Sequence, residues 1–114
     1  MFQKRLLEEH YRTYGGSYAW VRAGFRASRE LMRRENLAKI KVPVLLFAAG
    51  CDHMVDNGAI GRFAEETERT KLFSMPDSRH EIFNADERTR VKYYDEIFRF
   101  IREEEVKDYE NKNE

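Results

Sequence analysis

Two stretches of this sequence carry residue types suited to proton transfer. Asp52 stands in AAGCDHMVD and His80 in PDSRHEIF. A carboxylate that accepts from one imidazole nitrogen fixes the ring's tautomer and leaves the other nitrogen free as a general base. Such a pair needs a nucleophile to act on. Ser17 offers one in Gly-Gly-Ser-Tyr-Ala, residues 15–19, one residue short of the Gly-x-Ser-x-Gly elbow. The order Ser, Asp, His also fits. An elbow serine, however, follows a buried strand, whereas RLLEEHYRTYGG before Ser17 is charged and helical in period. Ala19 also stands where the motif wants a glycine. Ser17 therefore reads as a polar residue or N-cap opening the next helix, not as the nucleophile.

Each chemical reading has a plainer one beside it. Asp52 could simply cap the following helix, although Asp56 is better placed for that. A lone histidine is most often a polar turn residue. What lifts His80 and Asp52 above that is their joint placement after consecutive strands. Cys51 beside His53 could form a thiol–imidazole pair, but sequence neighbours seldom face each other, and Cys51 reads as a small apolar residue at a strand end. Asp52, His53, Asp56 and His80 match no metal-ligand spacing, so neither a metal nor any other cofactor is expected. Arg22, Arg26, Arg29 and Arg33, with Arg34 beside them, form a basic stripe. It could meet phosphate headgroups in a peripheral membrane contact, or be a solvated face partly paired with Glu30 and Glu35.

The elements that must position Asp52 and His80 follow from periodicity. Phe2, Leu6, Leu7, Tyr11 and Tyr14 give a first helix over residues 1–14, ended by Gly15-Gly16. Tyr18 to about Asn36 reads as a second, with Val21, Phe25, Ser28 and Met32 on one face. KVPVLLFAAG is short, continuous and apolar, as in a strand buried on both faces. Ile60, Phe63, Ala64 and Thr67 mark a helix capped by Asp56 or Asn57. TKLFSMP is a second strand. Asn84 with Glu87 resembles a capping box for a last helix carrying Val91, Tyr94, Phe98 and Ile101, beyond which a charged tail from Arg102 is expected to fray.

Strand, helix, strand, helix makes an α/β fold with two parallel strands joined by a crossover. In such sheets functional groups sit just past the carboxyl ends of the strands, where Asp52 and His80 fall. Two wholly apolar strands also want neighbours on both edges, so the pair reads as the end of a larger sheet. The chain has 114 residues, with 21 basic and 21 acidic side chains, 41% apolar content and 13% aromatics. That suits one globular domain whose zero net charge argues against nucleic acid as a partner. The single cysteine excludes an intrachain disulfide and suits a cytoplasmic location. No apolar stretch is long enough to span a bilayer, and Glu8 and Glu9 interrupt any export signal.

IKVPVLLFAAGCDHMVDNGAIGRFAEET followed by LFSMPDSRHEIFNADERTRVKYYDEIFRFI resembles the C-terminal end of an α/β-hydrolase. The bacterial lysophospholipase and monoacylglycerol-lipase branch of the serine-aminopeptidase-like group is the type it looks like most. GGSYAWVRAGFRAS is similar to the segment that links the cap of those enzymes to their core. The resemblance runs from about Gly15 to Ile101. It implies a partial α/β-hydrolase fold: a cap-connecting segment over 1–38, the C-terminal part of the core over 39–106 and a charged tail over 107–114. It also implies Asp52 as triad acid, His80 as triad base and an ester or lysolipid substrate. The nucleophile elbow and oxyanion loop of that family have no counterpart here, so the 114 residues alone are expected to be inactive. A non-catalytic αβαβα module that forms homodimers through its strand edge, or binds a partner there, is the alternative.

Overall fold

The computed structural model describes residues 15–113; the helix expected over 1–14 lies outside them. The chain divides into two compact units, residues 1–39 and 40–114.

In the first unit the expected single helix is two. Helix α1 spans Tyr18–Leu31 and a short α2 spans Arg34–Leu37. Ser17 caps α1 in an extended conformation, its hydroxyl accepting from the Trp20 amide at 3.2 Å. The break falls at Met32–Arg33, where Arg33 turns extended and the Asn36 side chain donates to the Glu30 carbonyl at 2.7 Å. That bond occupies a carbonyl at the end of α1, so the chain turns instead of continuing. None of α1 is buried, whereas Leu37 in α2 is.

The second unit is strand, helix, strand, helix. Strand β1 (Val44–Ala49) pairs in parallel with β2 (Thr70–Met75), with Val44 opposite Thr70 and Ala49 opposite Met75. Helix α3 (Asn57–Glu66) connects them and packs on both. A 3-10 turn over Ile82–Asn84 leads into α4 (Glu87–Lys112). The expected partial α/β fold is thus present in the backbone: two parallel strands with flanking helices.

Side chains alternate across the strands, so Phe47, Ala49, Phe73 and Met75 share one face. Tyr93 of α4 packs on that face, its ring 4.6 Å from Phe47, and Phe73 lies edge-on to Phe47 at 5.6 Å. Lys71 of β2 reaches the buried Glu96 of α4 at 2.9 Å, and Arg99 meets the other Glu96 oxygen at 3.4 Å. A buried carboxylate needs such partners, and the Lys71 pair ties α4 to the sheet while Arg99 completes it from within the helix. The small core of Ala49, Met75 and Ile82 sits at the carboxyl end of the strands. It therefore supports the loops that leave that end.

Three expectations are corrected. Only Ala49 of β1 is fully buried and the other five residues are half-exposed, because among the described residues only β2 flanks the strand. The cap of α4 is Asp86, whose carboxylate accepts from the Thr89 amide at 2.9 Å, and not Asn84. Ile82 is drawn into the core and coils Asn84 into the 3-10 turn, where its side chain donates to Glu81 instead. Finally, the charged tail does not fray at Arg102: α4 continues to Lys112. Glu104 holds Arg69 at 2.7 Å and Lys107 at 2.6 Å, which gives the polar end of the helix a tether to the start of β2.

Candidate active site

β1 and β2 end level with each other, so the loops that follow start side by side. Their backbones continue the strand pairing. The Gly50 amide donates to the Met75 carbonyl at 3.0 Å and the Cys51 amide to the Ser78 carbonyl at 2.9 Å. The approach is close enough to demand glycine. A Cβ on Gly50 would stand 2.1 Å from the Pro76 carbonyl oxygen, a distance that no side chain tolerates.

Asp52 lies just past this join. One carboxylate oxygen, Oδ1, accepts from the amides of Met54 at 2.7 Å and Val55 at 3.2 Å, a local turn that fixes the side chain. The other, Oδ2, lies 2.8 Å from Nδ1 of His80. An ionised carboxylate only accepts, so Nδ1 carries the proton and donates it. Nε2 of the neutral ring is then left with its lone pair, and no hydrogen bond occupies it among the described residues. The Asp52 side chain is 4% exposed and that of His80 47%. A shielded acid behind a half-open base is the arrangement that orients an imidazole while keeping its working nitrogen accessible.

Burial pushes the Asp52 carboxyl up, but hydrogen bonds from His80, Met54 and Val55 and the charge of His80 outweigh it. Its pKa is held below the ordinary 3.8. The acid is therefore ionised throughout the neutral range, as an orienting carboxylate must be.

Of the supporting residues, the sequence singled out Asp56 as a helix cap, but not Asn57 as a strut of the site nor Ile82. Asn57, the first residue of α3, donates from Nδ2 to the Ala49 carbonyl at 2.9 Å and so ties the far side of the Asp52 loop to the strand end. Its Oδ1 is buried without a hydrogen-bond partner among the described residues. Asp56 caps α3 through the Gly58 amide at 2.8 Å, which leaves Asp52 free of that role. On the histidine side, Ile82 anchors the chain two residues on, with its amide bonded to the His80 carbonyl at 3.2 Å. An asparagine opening the helix after the strand-end loop was the available signal for Asn57, but nothing in the sequence gave the direction of its side chain.

The other candidates are not brought together. Cys51 turns its Sγ toward the Pro76 carbonyl at 3.5 Å and away from any imidazole contact. Among the described residues no group of three His, Cys, Asp or Glu side chains converges as a metal site. Ser17 is engaged as the cap of α1, and no serine hydroxyl bonds His80 among the described residues.

Comparison with known families matches the chain to the model described as serine aminopeptidase, S33, over residues 2–87. That span covers most of the chain and includes both Asp52 and His80. The chain belongs to the serine aminopeptidase S33 family, within the α/β-hydrolase superfamily. No curated protein and no solved structure gives a significant match. Among the described residues no helix is long and apolar enough to cross a membrane.

Proposed function

We propose that this chain is the C-terminal part of a serine carboxylic-ester hydrolase that acts on lysophospholipids or monoacylglycerols. The observation that carries the proposal is the 2.8 Å contact between Asp52 Oδ2 and His80 Nδ1, with the acid shielded and the base half-open. Membership of the S33 family supports a hydrolase, and the GCDHMVD and SRHEI motifs support the lipid-ester type within it.

In this reading Nε2 of His80 takes the proton from a serine hydroxyl as the hydroxyl attacks the ester carbonyl. The resulting imidazolium is stabilised by Asp52, and it returns the proton to the departing alcohol oxygen as the tetrahedral intermediate collapses. Water then repeats the sequence on the acyl-enzyme. The serine and the oxyanion donors come from chain outside these 114 residues, because Ser17 serves as a helix cap.

The test is turnover by the native protein purified from its source, with monoacylglycerol, lysophosphatidylcholine and aminoacyl anilide as competing substrates. Hydrolysis of the two lipid esters, abolished in His80→Ala, is the expected result. Hydrolysis confined to the anilide would replace the ester reading with a peptidase one. An inactive native protein no heavier than this chain, self-associating through β1, would point to the non-catalytic module.

A further inference from the structure

Helix α1 has no part in the chemistry above, and its surface is unlike the rest of the chain. At 100° per residue, Arg22, Arg26 and Arg29 fall within an arc of about 60°. Arg33 continues the row just past the helix end, 3.7 Å from Glu30. Among the described residues Arg22, Arg26 and Arg29 make no ion pair. Tyr18, Phe25 and Val21 flank this row and Leu31 and Trp20 carry the apolar arc round to the opposite face, and none of α1 is buried. Tyr18 is 97% exposed, Trp20 72% and Phe25 69%.

A solvated basic face does not explain three open aromatic rings beside it. A helix with a broad apolar arc bearing Trp and Phe, beside a row of arginines of one sign, lies in the plane of a lipid interface. Its apolar side enters the acyl boundary while the guanidinium groups hold phosphates at the headgroup level. Tyr and Trp are the aromatic residues that favour that depth. The chain as a whole carries no net charge, but four arginines against one glutamate give this segment a local positive field.

We propose that α1 is an interfacial helix by which the protein docks on an anionic lipid surface. The inference does not rest on the hydrolytic reading, since docking is measurable without turnover. Trp20 is the only tryptophan, so its emission reports from within the proposed contact. The full chain is titrated with vesicles of phosphatidylcholine alone and of phosphatidylcholine mixed with phosphatidylserine. The expected result is a blue shift of Trp20, quenched by bromine-labelled lipid, with the mixed vesicles and not with phosphatidylcholine alone. Arg22→Gln, Arg26→Gln and Arg29→Gln should each weaken binding about fivefold. Phe25→Ser should weaken it too, and salt near 1 M should remove most of it. These side chains are exposed, and circular dichroism checks that the variants keep their helices. His80→Ala should bind as the unaltered chain does.

No shift with anionic vesicles would overturn the proposal, as would equal binding by the variant lacking all three arginines. Binding to a soluble polyanion with no lipid-dependent Trp20 shift would also overturn it and assign the stripe to another class of partner.

Discussion

The loops past β1 and β2 and the helix α1 are built on opposite principles. In the loops the backbone is over-determined. Gly50 and Cys51 bond across to Met75 and Ser78, Asn57 bonds back to Ala49, and Asp52 is held by two amides and one imidazole. In α1 the side chains are held by almost nothing: one serine cap closes the start, and no residue is buried. Proton transfer needs atoms placed to within a fraction of an ångström, and repeated backbone bonding supplies that. Docking on a fluid surface needs only charge and apolar area, which an exposed helix presents without a fixed partner.

The contrast can be broken by substitution. On the proposed hydrolase reading, His80→Ala in the native protein should lower kcat by about 10⁶-fold by removing the base, and Asp52→Asn by about 10⁴-fold by releasing its tautomer. Steady-state kinetics check this. Next comes Gly50→Ala. Its methyl group meets the Pro76 carbonyl, so the two loops must part, and kcat should fall about 10²-fold at nearly constant KM. If Gly50→Ala left the rate unchanged, the cross-loop pairing would not be what sets the site.

Asn57→Ala should lower kcat about tenfold by freeing the Ala49 carbonyl and loosening the Asp52 loop. Asn57 is a positioning residue in this account. The pH–rate profile should therefore shift along with the rate, which a general loss of stability would not produce. Ser17→Ala should leave kcat unchanged and remove about 1 kcal/mol from α1, read as lost helicity in circular dichroism. Abolished turnover in Ser17→Ala would mean that the glycine-rich stretch is the elbow after all.

The acid limb of stability sharpens the same comparison. Asp52 has its folded pKa held below the ordinary 3.8, as do Asp86 below 3.8 and Glu104 below 4.5. A depressed carboxyl contributes stability that is complete above the ordinary value and lost as the pH falls through the folded one. Acid unfolding of the second unit, monitored by far-ultraviolet dichroism and by the near-ultraviolet signal of the packed Tyr93, should therefore begin below about pH 4, and Asp52→Asn should make it less steep.

What was legible in the sequence follows the same division. The strand–helix–strand order and the neighbouring positions of Asp52 and His80 were readable, because apolar runs and strand-end loops obey topology more than detail. The break at Met32 was not, since it depends on the Asn36 side chain finding the Glu30 carbonyl. The cap at Asp86 was masked by a plausible capping box two residues early, which the burial of Ile82 displaced. The long α4 was missed because its polar end is held by Arg69, thirty-five positions away from Glu104. Asn57 and Gly50 were invisible as site residues for a related reason: what they contact is set by the fold, not by their neighbours.

The most direct measurement is covalent labelling of the native protein with a fluorophosphonate, followed by peptide mapping, in the unaltered protein and in His80→Ala. The account expects rapid labelling of a single serine outside residues 1–114, falling by orders of magnitude when His80 is lost. Labelling that is indifferent to His80, or that lands on Ser17, would contradict it.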